Sequence, residues 1–196
     1  WSPAVHERDT ALRIGPTFDR EWNKISSLPA DADGADEDGL AFVPILSPIT
    51  GSYLAQVSLY NNTGGNATLI AWLDFNGNGT FDAAEACQAI PPVPSSAAMQ
   101  NRFLFWPSAP TPVPNGAYTY LRIRLTRAIH GMNIANPTGY YEDGETEDYT
   151  VLVDDFPLTV NLLLFKAKLL ANDKVKLDWK TSGEENFNGF EIQRSA

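Results

Sequence analysis

Cysteine is nearly absent from this 196-residue chain: Cys87 stands alone, so no intrachain disulfide can staple the fold. Stability then has to come from packing or from a bound ion. Cys87, in an Ala-rich turn far in sequence from either histidine, reads as a small buried apolar residue rather than a reactive thiol. Histidine is almost as scarce. His6 falls in an irregular N-terminal stretch and His130 in the 128–131 connection, so no paired base or His-based ligand set is suggested. Gly-x-Ser-x-Gly, His-Glu-x-x-His and phosphate-cradling glycine loops are all missing, and a non-catalytic protein is expected. Basic charge is short too, with 14 Lys and Arg against 24 Asp and Glu, a net charge of −10. That balance argues against nucleic acid, whose phosphates need clustered cations, and suits divalent cations. No apolar run approaches the roughly 20 residues of a bilayer span, so membrane insertion is not expected. The start at Trp1 shows no signal-peptide pattern, and export is not read from it.

What the chain does have is a run of oxygen-bearing side chains at the spacing of a calcium loop. Asp74, Asn76, Asn78 and Asp82 occupy positions 1, 3, 5 and 9 of a twelve-residue frame, Gly79 position 6 and Glu85 position 12. The Thr80 carbonyl is placed to supply the remaining ligand, and Ca2+ is the expected ion. A Gly/Asn-rich hairpin turn would look similar as far as Asp82, but gives no reason for Glu85. The run before the loop, Ala67–Leu73, is β-branched, aromatic and continuously apolar, which predicts a strand. One or two helical turns are expected after it, before Pro91-Pro92. A strand-first loop is not an EF-hand, so a sensor that opens a helix pair is not expected.

Elsewhere the signals are almost all β. Residues 53–60 alternate, with Tyr53, Ala55, Val57 and Leu59 on one face, and are expected to form a hairpin with 67–73. Residues 117–126 alternate more cleanly: Leu121, Ile123 and Leu125 face a core, while Tyr120, Arg122 and Arg124 face water. Shorter strands are predicted at 40–46, 102–106 and 149–153, joined through Pro-rich connections at 91–94 and 107–114. Many short strands without amphipathic helices predict an all-β fold, an antiparallel β-sandwich of jelly-roll or Ig-like type.

Two acidic clusters flank this core, at 31–38 and 142–148, with five carboxylates each. Such density repels itself unless screened, so Asp36, Asp38, Glu145, Glu147 and Asp148 are candidate ligands of a second calcium. Solvated acidic loops are the alternative. If the fold brings both clusters to one end, the metal reading gains.

Taken in order, Asp36–Gly39, Ala71–Gly79, Tyr120–Leu125 and Asp143–Tyr149 resemble the GEVED domain, whose signature here reads Gly144-Glu145-Thr146-Glu147-Asp148. The resemblance implies a non-catalytic β-sandwich module of large secreted or surface-anchored bacterial proteins, often adhesin-like. Expected partners are other surface proteins or subunits of one assembly. The tail, with Trp179-Lys-Thr-Ser182 and Gly189–Arg194, is similar to the opening strands of fibronectin type III-like modules found in Bacteroidetes proteins exported by type IX secretion. It offers three strands where such a module needs about seven. The expected organisation is a lead segment at 1–30, a GEVED-like domain at 31–155 and an incomplete fibronectin-like unit at 156–196. The rival function is a carbohydrate-binding module. Trp72, Trp106, Tyr118, Tyr120, Tyr140 and Tyr141 are its candidate platforms, with Tyr140 and Tyr141 expected to be the exposed pair and most of the others to fill the core. Asn61 and Asn66 begin N-glycosylation sequons, and Asp9-Thr10-Ala11 fits a short O-glycosylation pattern.

Overall fold

A computed structural model of the chain describes residues 4–7, 9–17, 38–154, 161–170 and 174–182. Two compact units divide at Asp154, and each is taken by itself. The larger contains β1 (Ala4–His6), β2 (Leu12–Ile14), β3 (Tyr53–Asn61), β4 (Ala67–Leu73), β5 (Ala86–Gln88), β6 (Ser96–Trp106), β7 (Ala117–Arg127), β8 (Gly139–Tyr141) and β9 (Glu145–Val153). The described residues contain no α-helix, so the fold is all-β.

Two antiparallel sheets, β2-β3-β6 and β5-β4-β7-β9, dominate, and a short parallel pair joins β1 to β8. The expected hairpin of β3 with β4 does not form: the two consecutive strands lie in different sheets. Buried Asn61 explains the crossing. Its amide nitrogen donates to the Gly65 and Val93 carbonyls, each at 3.0 Å, while its oxygen accepts from Thr63. A side chain that satisfies the corner's backbone groups lets the chain leave one sheet without orphaned carbonyls. The same burial removes the Asn61 sequon from the accessible surface.

Alternation explains the core. Tyr53, Ala55, Val57 and Leu59 point inward from β3 as predicted, against Leu69 and Leu73 of β4, Leu121, Ile123 and Leu125 of β7, and Val151 and Val153 of β9. These side chains form one apolar cluster shared by the two larger sheets. All seven residues of β4 are buried, as its unbroken apolar run required. Its other face, Ile70 and Trp72, forms a second cluster with Met132.

The outer face of β7 corrects the expectation that it is wet. Arg122 and Arg124 are 2% and 0% exposed. Residues 128–141 lie over them. Residues 40–46 likewise form no strand: Pro44 interrupts the run, which is held by isolated bridges from Leu40 to Val57 and from Leu46 to Val153, by Leu40 N–H donating to the Tyr149 hydroxyl and by the Tyr53 hydroxyl donating to the Pro44 carbonyl. The stretch 4–17, expected to lead into the domain as irregular chain, supplies β1 and β2 to this unit.

The second unit contains β10 (Asn161–Leu169) and β11 (Val175–Ser182), an antiparallel hairpin. The half-buried face expected of β11 is not covered: Val175 and Trp179 are exposed, while Leu177 and Thr181 are partly buried. The third expected strand, 189–194, lies outside the described residues.

Candidate metal centre

The calcium-type loop begins where β4 ends and is held at both ends. Asp74 donates its N–H to the Tyr120 carbonyl at 2.9 Å, and its own carbonyl accepts from the Thr119 hydroxyl, both on β7. At the far end Trp106 Nε1–H donates to the Glu85 carbonyl at 2.6 Å. The ring of Trp106 thus ties the last loop position to β6.

Between these anchors the loop wraps around its own carboxylates. Asn78 and Gly79 N–H donate to the two oxygens of Asp74, each at 3.1 Å. Asn76 Oδ1 accepts from Asn78 N–H at 2.9 Å, and Asn78 Oδ1 from Thr80 N–H at 2.7 Å. Gly79 sits at φ +78°, a left-handed conformation that a side chain would strain, and so permits the tight return. Glu85 accepts from Asp82 N–H at 2.9 Å, at the start of a single 3-10 turn, Ala83–Glu85. That single turn is the shorter of the one or two helical turns expected here, and the chain then passes straight into β5. It also gives Glu85 a structural reason the hairpin alternative lacked: its carboxylate caps the turn.

Burial makes these carboxylates unusual. Asp74 is 2% exposed and Glu85 fully buried, whereas Asp82 lies at the surface. Burial pushes the Glu85 carboxyl up to about 7, the Asp82 N–H bond opposes this, and the Asp74 charge adds to it. Burial also raises Asp74, with Asp82 adding repulsion, against the lowering bonds from Gly79 and Asn78. Among the described residues no Lys or Arg forms an ion pair with any of the three. Three His, Cys, Asp or Glu side chains are not gathered into a ready-made metal site anywhere among the described residues. In the loop, two of the six expected ligands are asparagines and one a carbonyl.

The acidic clusters at 31–38 and 142–148 do meet, in part. Glu145, Glu147 and Asp148 lie within β9 rather than in a loop before it. Period-two alternation sends Glu145 and Glu147 inward and Asp148 outward, so Asp148 does not join the other two. Instead it accepts two bonds from Arg122, at 2.7 and 2.6 Å, a forked ion pair. Glu147 accepts from Asp38 and Gly39 N–H, each at 3.3 Å, and from the Tyr149 hydroxyl at 2.6 Å. Glu145 accepts from Ile14 N–H at 2.7 Å. The inward carboxylates therefore anchor the backbone of residues 14 and 38–39 to β9. Burial pushes Glu147 up to about 7 despite those bonds, with the Asp38 charge adding to it. Buried Asp38 Oδ1 has no hydrogen-bond partner, while Thr17 donates to the other oxygen. Asp36 lies outside the described residues.

Asp143 organises a further network that the sequence did not disclose. Its carboxylate accepts from the Thr126 hydroxyl at 2.6 Å, from Arg127 N–H at 3.0 Å and from His130 at 2.8 Å. Burial alone would raise it, but these bonds hold it below the ordinary carboxylate value. Its carbonyl meets His6 Nδ1 at 2.6 Å, and His6 Nε2 accepts from Arg124 Nε at 3.1 Å. Burial, with Arg124 adding to it, lowers His6 from 6.5 to about 3. Both ring nitrogens are thus engaged, one at the Asp143 carbonyl and one by Arg124. Gly144 follows at φ +89°, where a Cβ would lie 1.8 Å from the Leu125 carbonyl oxygen. Only glycine fits there, which gives the first letter of the Gly144–Asp148 signature a steric cause.

These observations meet in one stretch of chain, from β4 through the loop, the buried arginines and β9. Residues 68–152 match the family model of the GEVED domain. The GEVED match thus includes the loop, Arg122, Arg124 and the acidic signature, and leaves 1–67 and 153–196 outside. No curated protein and no solved structure matches the chain.

Proposed function

We propose that the GEVED region is a calcium-stabilised β-sandwich module of a secreted or surface-exposed bacterial protein, serving adhesion or assembly rather than catalysis. The observation that carries the metal reading is the burial of Asp74 and Glu85, together with Asp82 nearby, without a Lys or Arg ion pair among the described residues. Burying ionised carboxylates is costly unless a cation offsets them. A hard divalent ion takes oxygen ligands of this kind. Asp74, Asn76, Asn78, Asp82 and Glu85, with the Thr80 carbonyl, would hold it, and its charge would replace the missing cation. The bonds each carboxylate already accepts leave lone pairs for an ion.

The sandwich reading is supported by the apolar cluster that the β2-β3-β6 and β5-β4-β7-β9 sheets share. Asp38, Glu145 and Glu147 are proposed as backbone anchors, with a second ion there as the lesser reading, since each accepts bonds from N–H or hydroxyl donors. Extracellular placement, partners among surface subunits and a fibronectin-like second unit are proposed on the resemblance of the sequence alone. Calorimetric titration with Ca2+ tests the site. One exothermic or endothermic binding event is expected, lost in Asp74→Ala and weakened in Glu85→Gln; no binding to the intact chain rejects the metal reading.

A further inference from the structure

A cleft opens beside the loop. Its volume is about 400 Å3, within the roughly 300–1,000 Å3 of small-ligand sites. Asp74, Asn76, Pro112, Pro114, Tyr118 and Tyr120 are among the residues that line it. We propose that this cleft binds a neutral saccharide, with the Tyr118 ring as its platform.

The lining selects the class of ligand. Among the described residues no Lys, Arg or His borders the cleft, so none of them there offers a cation to a phosphate or a carboxylate. Tyr118 is 60% exposed, which leaves a flat ring open to the solvent. Tyr118 and Tyr120 share the outer face of β7 with Arg122 and Arg124, but the cover of residues 128–141 stops short of Tyr118. The Tyr118 hydroxyl has no hydrogen-bond partner among the described residues, nor has the Asn76 side-chain nitrogen, whose oxygen is already engaged by Asn78 N–H. A sugar ring offers what these groups lack: an apolar C–H face for the tyrosine, and hydroxyls for an amide donor and a phenol. The cleft is too open to enclose an apolar molecule, as the exposure of Tyr118 shows.

This site shares residues 74–79 with the calcium proposal but does not depend on an ion. Tyr140, 54% exposed on β8 with its hydroxyl bonded to Glu7, is the natural control. The test is saturation-transfer NMR of the full chain with cello-, xylo-, manno- and laminari-hexaose, in Ca2+ and again in excess chelator. A Lys-rich peptide serves as the cationic probe. At least one neutral oligosaccharide should bind. Tyr118→Ala should weaken it about tenfold or more with the melting temperature unchanged, and Tyr140→Ala should leave it intact. Chelation should preserve the Tyr118 dependence even if it lowers the melting temperature. Four results would each overturn the proposal: no oligosaccharide bound, equal binding by Tyr118→Ala, binding lost in Tyr140→Ala instead, or binding of the peptide alone.

Discussion

His6 shows what a single buried residue does to the pH response. Folding holds it neutral, with a value of about 3, whereas the unfolded chain returns it to 6.5. Between those values the unfolded state binds the extra proton, so this residue's contribution to stability is present above pH 6.5 and lost as pH falls towards 3. Glu147 works in the opposite sense. Its folded value of about 7 exceeds its ordinary 4.5, so its contribution is present below 4.5 and lost as pH rises to 7. Only a difference between variants isolates either residue. His6→Leu leaves the Arg124 Nε–H and the Asp143 carbonyl unpaired, and should cost on the order of 1–3 kcal/mol at pH 7 by urea unfolding. The gap to wild type should shrink as pH approaches 3; a constant gap would show that His6 does not titrate between the two states.

At the scale of elements, β7 is where alternation was read correctly and burial was not. The inward set Leu121, Ile123 and Leu125 was visible in the sequence, because apolar residues at every second position have one face to bury. The outward arginines were expected to be wet because charge usually marks solvent. Their cover comes from residues 128–141, a stretch without periodicity, whose Asn136, Thr138 and Gly139 carbonyls accept from Arg124, each at 2.8 Å. Carbonyl acceptors leave no trace in side-chain identity, so nothing in the sequence announced them. Arg122 makes its fork to Asp148 and a third bond to the Pro137 carbonyl at 3.1 Å. Arg122→Ala should therefore destabilise by roughly 3–5 kcal/mol, and Arg122→Lys should recover only part, because an ammonium cannot fork. Equal stability of Arg122→Ala and wild type in chemical denaturation would remove β7's outer face from the core. The β3–β4 crossing was hidden for a related reason: turn residues at 61–66 fit a hairpin and a sheet-to-sheet corner equally well, and the Asn61 bonds decide.

At the scale of the whole molecule, the two long alternating strands β3 and β7 followed from the period-two pattern, β4 from its unbroken apolar run and the candidate loop from its ligand spacing, whereas the three-residue strands β1, β2, β5 and β8 are too short to carry a period. Long-range convergence could not be read. Asp38 meets Glu147 across more than a hundred residues, and Tyr118 borders the Asp74 loop only because β7 pairs beside β4. The chain has one cysteine and therefore no internal disulfide, and the account gives the stabilising part to an ion at residues 74–85. Metal binding then appears as folding free energy. The direct test is thermal unfolding of wild type and Asp74→Ala, each with Ca2+ and with excess chelator. At a hundredfold excess of Ca2+ over Kd, the account predicts that chelation lowers the wild-type melting temperature by roughly 5–10 °C and leaves Asp74→Ala nearly unmoved. Superimposable wild-type curves with and without chelator would contradict it.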